Sequence, residues 1–229
     1  MPTHVLTGAG SGIGAAVAQR LSERGDRLML VARSDERAQE LVDRFPGSDA
    51  LVADLSDPDT LEAAGAKDLP DALDSVLHIA GVVELAPVAE LSAAGLREQL
   101  EVNLVAPAVL TRACLPALRR ARGIVVFVNS SAGLTAHPTW SAYAASKFGL
   151  RALADALRSE EAEHGVRVTT VYPGRTATPM QQKVHQQEGK EYDASSWTRP
   201  ESVADTIVHV LDLPPDATIP DVMVRPGPG

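Results

Sequence analysis

Tyr143 and Lys147 stand four positions apart in the stretch YAASK, residues 143–147. The chain holds only 3 tyrosines and 4 lysines in 229 residues, so chance seldom produces the pair. Residues four apart on a helix share a face. A phenol beside an ammonium is a proton-transfer pair: a free tyrosine, of pKa about 10, is a poor base at neutral pH, and a nearby cation stabilises its anion. Moving that pKa toward about 7 takes about 4 kcal/mol of differential stabilisation, part of which Lys147 could supply.

A second pattern, TGAGSGIG (7–14), follows an apolar run near the start of the chain. Gly8, Gly12 and Gly14 allow a tight turn, close approach of the backbone to a pyrophosphate and close packing of a helix on a strand. The amides at the helix start then face the anion. Position 13 is Ile13, where GxGxxG needs its last glycine. An ordinary strand-to-helix turn is therefore the alternative.

The end of the second apolar run tests the point independently. NAD folds place a carboxylate there for the ribose hydroxyls, and NADP folds place an arginine for the 2′-phosphate. This chain reads VARSDER, with Ala32 and then Arg33, which favours NADP(H). A solvated surface arginine is the alternative for Arg33. Asp35 and Glu36 fall in the first turn of the next helix, where acids suit the dipole.

Seven short apolar runs position these motifs: 4–7, 27–32, 50–53, 75–80, 123–128, 166–172 and 221–224. Helical patterns alternate with them, at about 12–25, 35–45, 57–66, 96–121, 141–164 and 200–212. Consecutive apolar residues suit strands covered on both faces. The expected fold is α/β: a single doubly wound Rossmann-type domain over 1–229, with a seven-stranded parallel sheet flanked by helices. Residues 178–199 are polar and poorly periodic, and read as a substrate lid or an idle surface loop.

A net charge of -9 opposes binding to nucleic acid phosphates, and no run approaches the ~20 apolar residues of a membrane span. A single cysteine, Cys114, rules out an internal disulfide framework, so the natural compartment is the cytoplasm. The 6 histidines show no helical i,i+4 pair, and no metal site is expected.

With these motifs in order, the chain resembles the short-chain dehydrogenase/reductase family over essentially its whole length. TGxxxGxG appears as TGAGSGIG, YxxxK as YAASK, and PGxVxT as PGRTAT. The resemblance implies four catalytic residues. Tyr143 would be the acid for reduction and the base for oxidation, and Lys147 would hold the nicotinamide ribose. Ser130, 13 residues before the tyrosine, would bond the substrate oxygen, with Ser131 ranked second. Asn103 would anchor a proton-relaying water. Taken alone, Asn103 reads as a buried amide paired with backbone, and Ser130 as a turn or cap residue.

The resemblance also assigns cofactor contacts to Gly8, Ser11, Gly12, Ile13, Gly14 and Arg33, to Asp54 and Leu55, to Ala80 and Gly81, and to Pro173, Gly174, Thr176 and Thr178. Asp54 reads equally as a helix-start acid, a part Asp57 could also fill. The family's NNAG is HIAG here, so His78 and Ile79 replace both asparagines and the strand loses their side-chain bonds. Arg175 reads as a contact for a cofactor or substrate anion, or as an exposed charge.

Helix 141–164 is apolar on two sides. Leu150, Leu153, Ala154 and Leu157 form one face, and Ala145, Phe148, Gly149, Ala152 and Ala156 the other. With the resemblance, this implies a homodimer or homotetramer. Val82, Val83, Leu134, Trp140 and Met180 are expected around a small-molecule carbonyl or alcohol. The expected activity is NADP(H)-dependent reduction; the alternatives are an NAD-linked alcohol or hydroxysteroid dehydrogenase, or a non-catalytic nucleotide sensor.

Overall fold

The structure is a computed structural model that describes residues 1–64 and 69–227. Its strands are β1 (Thr3–Thr7), β2 (Arg27–Ala32), β3 (Asp49–Val52), β4 (Ser75–His78), β5 (Ile124–Val128), β6 (Arg167–Pro173) and β7 (Asp221–Val224). They form one parallel sheet in the order β3-β2-β1-β4-β5-β6-β7. The order reverses between β1 and β4, and such a switch point opens a crevice at the C-terminal ends of the strands.

The helices are α1 (Gly12–Glu23), α2 (Asp35–Arg44), α3 (Asp59–Ala64), α4 (Ala93–Leu100), α5 (Ala106–Ala121), α6 (Ser141–Glu160), α7 (Pro179–Gln187) and α8 (Pro200–Leu211). Side chains alternate across the strands, so each strand feeds two cores. Leu28 and Leu30 join Leu6, Leu77 and Val126 under α1, α2 and α8. Met29 and Val31 join Val5, Val76 and Phe127 under α3, α5 and α6. Both faces are covered, which explains why the strands read as continuous apolar runs.

Three expectations need correction. Helix 96–121 begins earlier and is interrupted by a five-residue π turn, Glu101–Val105, between α4 and α5. Pro107 has no N–H to give the Asn103 carbonyl four residues back, so regular α bonding fails there. Helix 141–164 ends at Glu160, and Ala162–His164 forms a separate tight turn. Residues 178–199 contain a real helix, α7, started by Thr178, whose hydroxyl accepts the Gln181 N–H at 3.2 Å. The last residues of the expected helix 57–66 lie outside the described ones.

Among the described residues, Ala93–Ala121 is the one helical run long and apolar enough to cross a membrane. Its Leu110, Cys114, Ala117 and Leu118 are buried in the sheet's core.

Candidate active site

The strand-end crevice is a cavity of about 850 Å³. At one end lies the glycine turn. Gly8 has φ +79°, and a Cβ there would come within 2.8 Å of the Ala80 nitrogen. A Cβ on Gly14 would overlap the Gly8 carbonyl oxygen. Only glycine permits both the positive φ and this packing of helix against turn. Ser11 caps α1 in extended conformation without a side-chain bond, so the first amides of α1 are open to an anion.

Thr7 does work that the sequence did not advertise. Its hydroxyl accepts the Ile79 and Ala80 N–H groups at 3.0 and 3.1 Å, tying β1 to the turn after β4. His78, in place of an asparagine, is buried, stacks on Phe127 at 4.9 Å and meets the Thr111 hydroxyl at 2.8 Å. Burial holds its pKa down at about 3, so it is neutral. HIAG thus replaces side-chain amides with an apolar stack and a threonine clamp.

Arg33 follows β2, is exposed, and has no hydrogen-bond or ion-pair partner among the described residues. Two further arginines on α2 reach the same turn. Arg37 lies over Gly10 while paired with Glu40, and Arg44 donates to the Gly10 carbonyl at 3.1 Å. Their spacing of seven, one helix face, was the sequence signal for them. Asp54 accepts from the Ser56 amide and hydroxyl at 2.9 and 2.8 Å, and Leu55 packs beside the sheet core. Neither they, nor Arg33, nor Asn103 line the cavity; the other candidate residues do.

At the other end are Tyr143 and Lys147, on the first two turns of α6 and both buried. The Lys147 Nζ lies 5.8 Å from the Tyr143 ring centre and donates to the Val128 carbonyl at 3.1 Å. Burial pushes the phenol up to about 12 against the pull of the Ser130 hydroxyl, and pushes the ammonium down to about 8. Desolvation outweighs the pairing in the protein alone. Ser130 leaves β5 extended, and its Oγ accepts the Ala132 N–H at 3.1 Å, so it is also the turn cap.

Asn129 and Asn103 hold this end together. Asn129 accepts the Ser130 N–H at 2.8 Å and donates to the Lys147 carbonyl at 3.0 Å. Asn103, in the π turn, grips both backbone groups of Val82 at 2.9 Å and donates to Ser146 Oγ, which donates to the Tyr143 carbonyl. Its side chain is the backbone-paired amide that the sequence allowed. Four residues earlier, Gln99 grips both backbone groups of Glu84 in the same way, which the sequence did not suggest. Together the two amides fix the 82–84 loop beside the tyrosine.

Val83, Trp140 and Met180 line the cavity as expected, but Val82 and Leu134 do not. Polar groups take their place: His137, Gln181, Gln187, Glu188 and Lys190. Trp140 meets the Tyr143 ring edge-on at 5.8 Å. Thr139 beside it has φ +70°, a costly conformation for a β-branched residue, held by the bond from Ala86 N–H to its carbonyl at 2.9 Å.

A glycine cradle with open helix amides, an arc of arginines at one end and a buried phenol, hydroxyl and ammonium at the other fit a nicotinamide dinucleotide laid along the crevice. The short chain dehydrogenase family profile matches residues 3–189, and the chain belongs to that family. It is 28% identical to Dehydrogenase/reductase SDR family member 11 of Bos taurus, over 97% of this chain and 94% of that one. Among solved structures it is similar to an alcohol dehydrogenase from the archaeon Thermococcus sibiricus complexed with 5-hydroxy-NADP: TM-score 0.85, 27% identity, 99% of this chain and 97% of that one. A metagenomic short-chain oxidoreductase in complex with NADP gives TM-score 0.80 and 29% identity over 99% and 97% of the two chains. The protein is thus a short-chain oxidoreductase with the Rossmann-type sheet of its relatives.

Proposed function

We propose that this oxidoreductase uses NADP(H) to interconvert a carbonyl and an alcohol, working as a reductase, with Tyr143 as the acid. The observation that carries this reading is the convergence of Ser130, Tyr143 and Lys147 on one end of a cavity whose other end is the glycine turn. Arg33, with Arg37 and Arg44 beside it, supports the NADP form, because a 2′-phosphate needs cations where NAD needs a carboxylate. The similar structures that hold NADP or its 5-hydroxy form agree.

Gly8, Ser11, Gly12, Ile13 and Gly14 would hold the pyrophosphate; Arg33 the 2′-phosphate; Asp54 and Leu55 the adenine. Ala80, Gly81, Pro173, Gly174, Thr176 and Thr178 would line the nicotinamide half. When bound, NADPH supplies the hydride. The chain's own residues handle the proton. Ser130 orients the substrate oxygen, and Tyr143, protonated throughout the physiological range, gives its proton to that oxygen. Lys147 stabilises the tyrosinate left behind. The Asn103 carbonyl, denied its usual donor by Pro107, anchors the water that returns a proton to Lys147.

Residues 178–199 serve as the lid of a single domain. The exposed Phe148, Val105 and alanine face of α6 serve as a contact between identical subunits. The test is oxidation of NADPH and of NADH against a ketone and aldehyde panel. Turnover with NADPH preference sustains the reading; clear NADH preference, or none with either, overturns it.

A further inference from the structure

Beside the C-terminal end of α7 the cavity carries an ion cluster that carbonyl reduction itself does not require. Arg175 projects there from the turn after β6. α7 measures its distance from the phosphate end. The Thr178 side chain lies against Gly12, while Glu188 comes ten residues later, about 15 Å along the helix. Arg175 Nη2 donates to both Glu188 oxygens, at 2.8 and 2.9 Å. This places its guanidinium at the substrate end, away from the pyrophosphate.

The guanidinium is under-used. Nη2 alone serves Glu188, Nη1 makes a 3.4 Å contact to His185 Nε2, and Nε has no partner among the described residues. On its other side, His185 Nδ1 lies 2.9 Å from the Gln181 carbonyl and 3.0 Å from the Gln181 side-chain nitrogen. Trp197 lies under Arg175 at 5.4 Å, and its buried indole N–H has no acceptor among the described residues. Lys190 also reaches Glu188, at 3.1 Å. Among the charged residues lining the cavity, Lys147, Arg175 and Lys190 face one acid, Glu188, in a chain of net charge -9.

Resting on the oxidoreductase reading, we propose that Arg175, with Lys190, anchors a carboxylate of the substrate, and that Glu188 holds this position when no substrate does. The substrates are oxo acids and their hydroxy acids. Exchanging one carboxylate for another leaves the cations paired, and the substrate gains the fork geometry that Glu188 leaves unused. Glu188 caps the end of α7 and precedes Gly189, at φ +66°, a joint about which it can swing aside.

The test compares kcat/KM for 2-, 3- and 4-oxo acids with their methyl esters, using NADPH. At one chain length the acid should exceed its ester by about tenfold or more, the worth of a charge-assisted bond. Arg175→Gln should collapse that ratio toward one, and Arg175→Lys should restore part of it. Glu188→Gln should lower KM for the acid more than it changes kcat. The ratio is internal to each variant, so a general loss of activity does not mimic the result. Esters equal to acids at every length, or a ratio unchanged in Arg175→Gln, overturns the proposal. If neither acids nor esters turn over, acetate, succinate and glutarate titrated into the NADPH complex decide the carboxylate site by itself, while the neutral ketone and aldehyde panel decides the oxidoreductase reading. Binding lost in Arg175→Gln sustains the carboxylate site; Arg175-independent binding or no binding overturns it.

Discussion

At the N-terminal ends of the strands, Asp26, His4 and Ser75 line up as carboxylate, imidazole and hydroxyl. His4 Nε2 is 3.2 Å from Asp26 and Nδ1 is 2.7 Å from Ser75 Oγ. By residue type this is a nucleophile relay. Ser75 is fully buried, however, and Asp26 is further held by Arg24, which also pairs with Asp212. At the C-terminal ends, Tyr143 and Lys147 are just as buried, but they line an open cavity and, among the described residues, neither forms an ion pair with a carboxylate. One cluster closes on itself and holds β1 to β4; the other keeps its groups perturbed and reachable. Types and distances do not distinguish the two. Access, and a buried charge without a counter-charge, do.

The comparison breaks most visibly at the tyrosine. Tyr143→Phe should cut turnover by about a thousandfold or more while NADPH titration still shows binding. Lys147→Met should abolish turnover yet raise the melting temperature by several degrees. A lysine held at about 8 costs about 3 kcal/mol wherever the unfolded chain is charged. That cost is present in full below pH 8 and is relieved as pH rises toward 10.5, so wild type and variant should converge in alkaline melts.

At the phosphate end, Arg33→Ala should weaken NADPH binding about ten- to a hundredfold and leave NADH binding unchanged, with a smaller loss for Arg37→Ala. Fluorescence titration in low and high salt checks both. At the closed cluster, Asp26→Ala should cost about 1–3 kcal/mol of stability and leave turnover per folded molecule unchanged. Lost turnover there would mean that this end is not merely structural. His4, also held below its ordinary pKa by burial, takes up its proton at lower pH in the fold than in the unfolded chain, which does so below about 6.5. Stability should therefore fall as pH drops below that point, and less steeply in His4→Phe.

The sheet was legible because strands buried on both faces must be apolar at every position, and the glycine turn because steric exclusion leaves no other residue. α7 was not. QQKVHQQ offers Val184 as its one apolar residue, and the helix is held by the Thr178 cap and the Arg175–Glu188 pair. The π turn was marked only by Pro107, and a single proline does not say how the chain relieves it. Tyr143 and Lys147 were legible as a pair, yet their desolvation was not, because spacing shows the neighbour and not the burial. The amide clamps at Gln99 and Asn103 join loops 15 and 21 residues away, a reach that no local pattern encodes.

The most direct test of the central claim is NADPH oxidation with a carbonyl panel by wild type and Tyr143→Phe, after NADPH binding has been measured for both. The account predicts equal binding, turnover in wild type and almost none in the variant. Tight binding with no turnover by wild type on any carbonyl would contradict it, and would leave a dinucleotide-binding protein whose buried phenol does no chemistry.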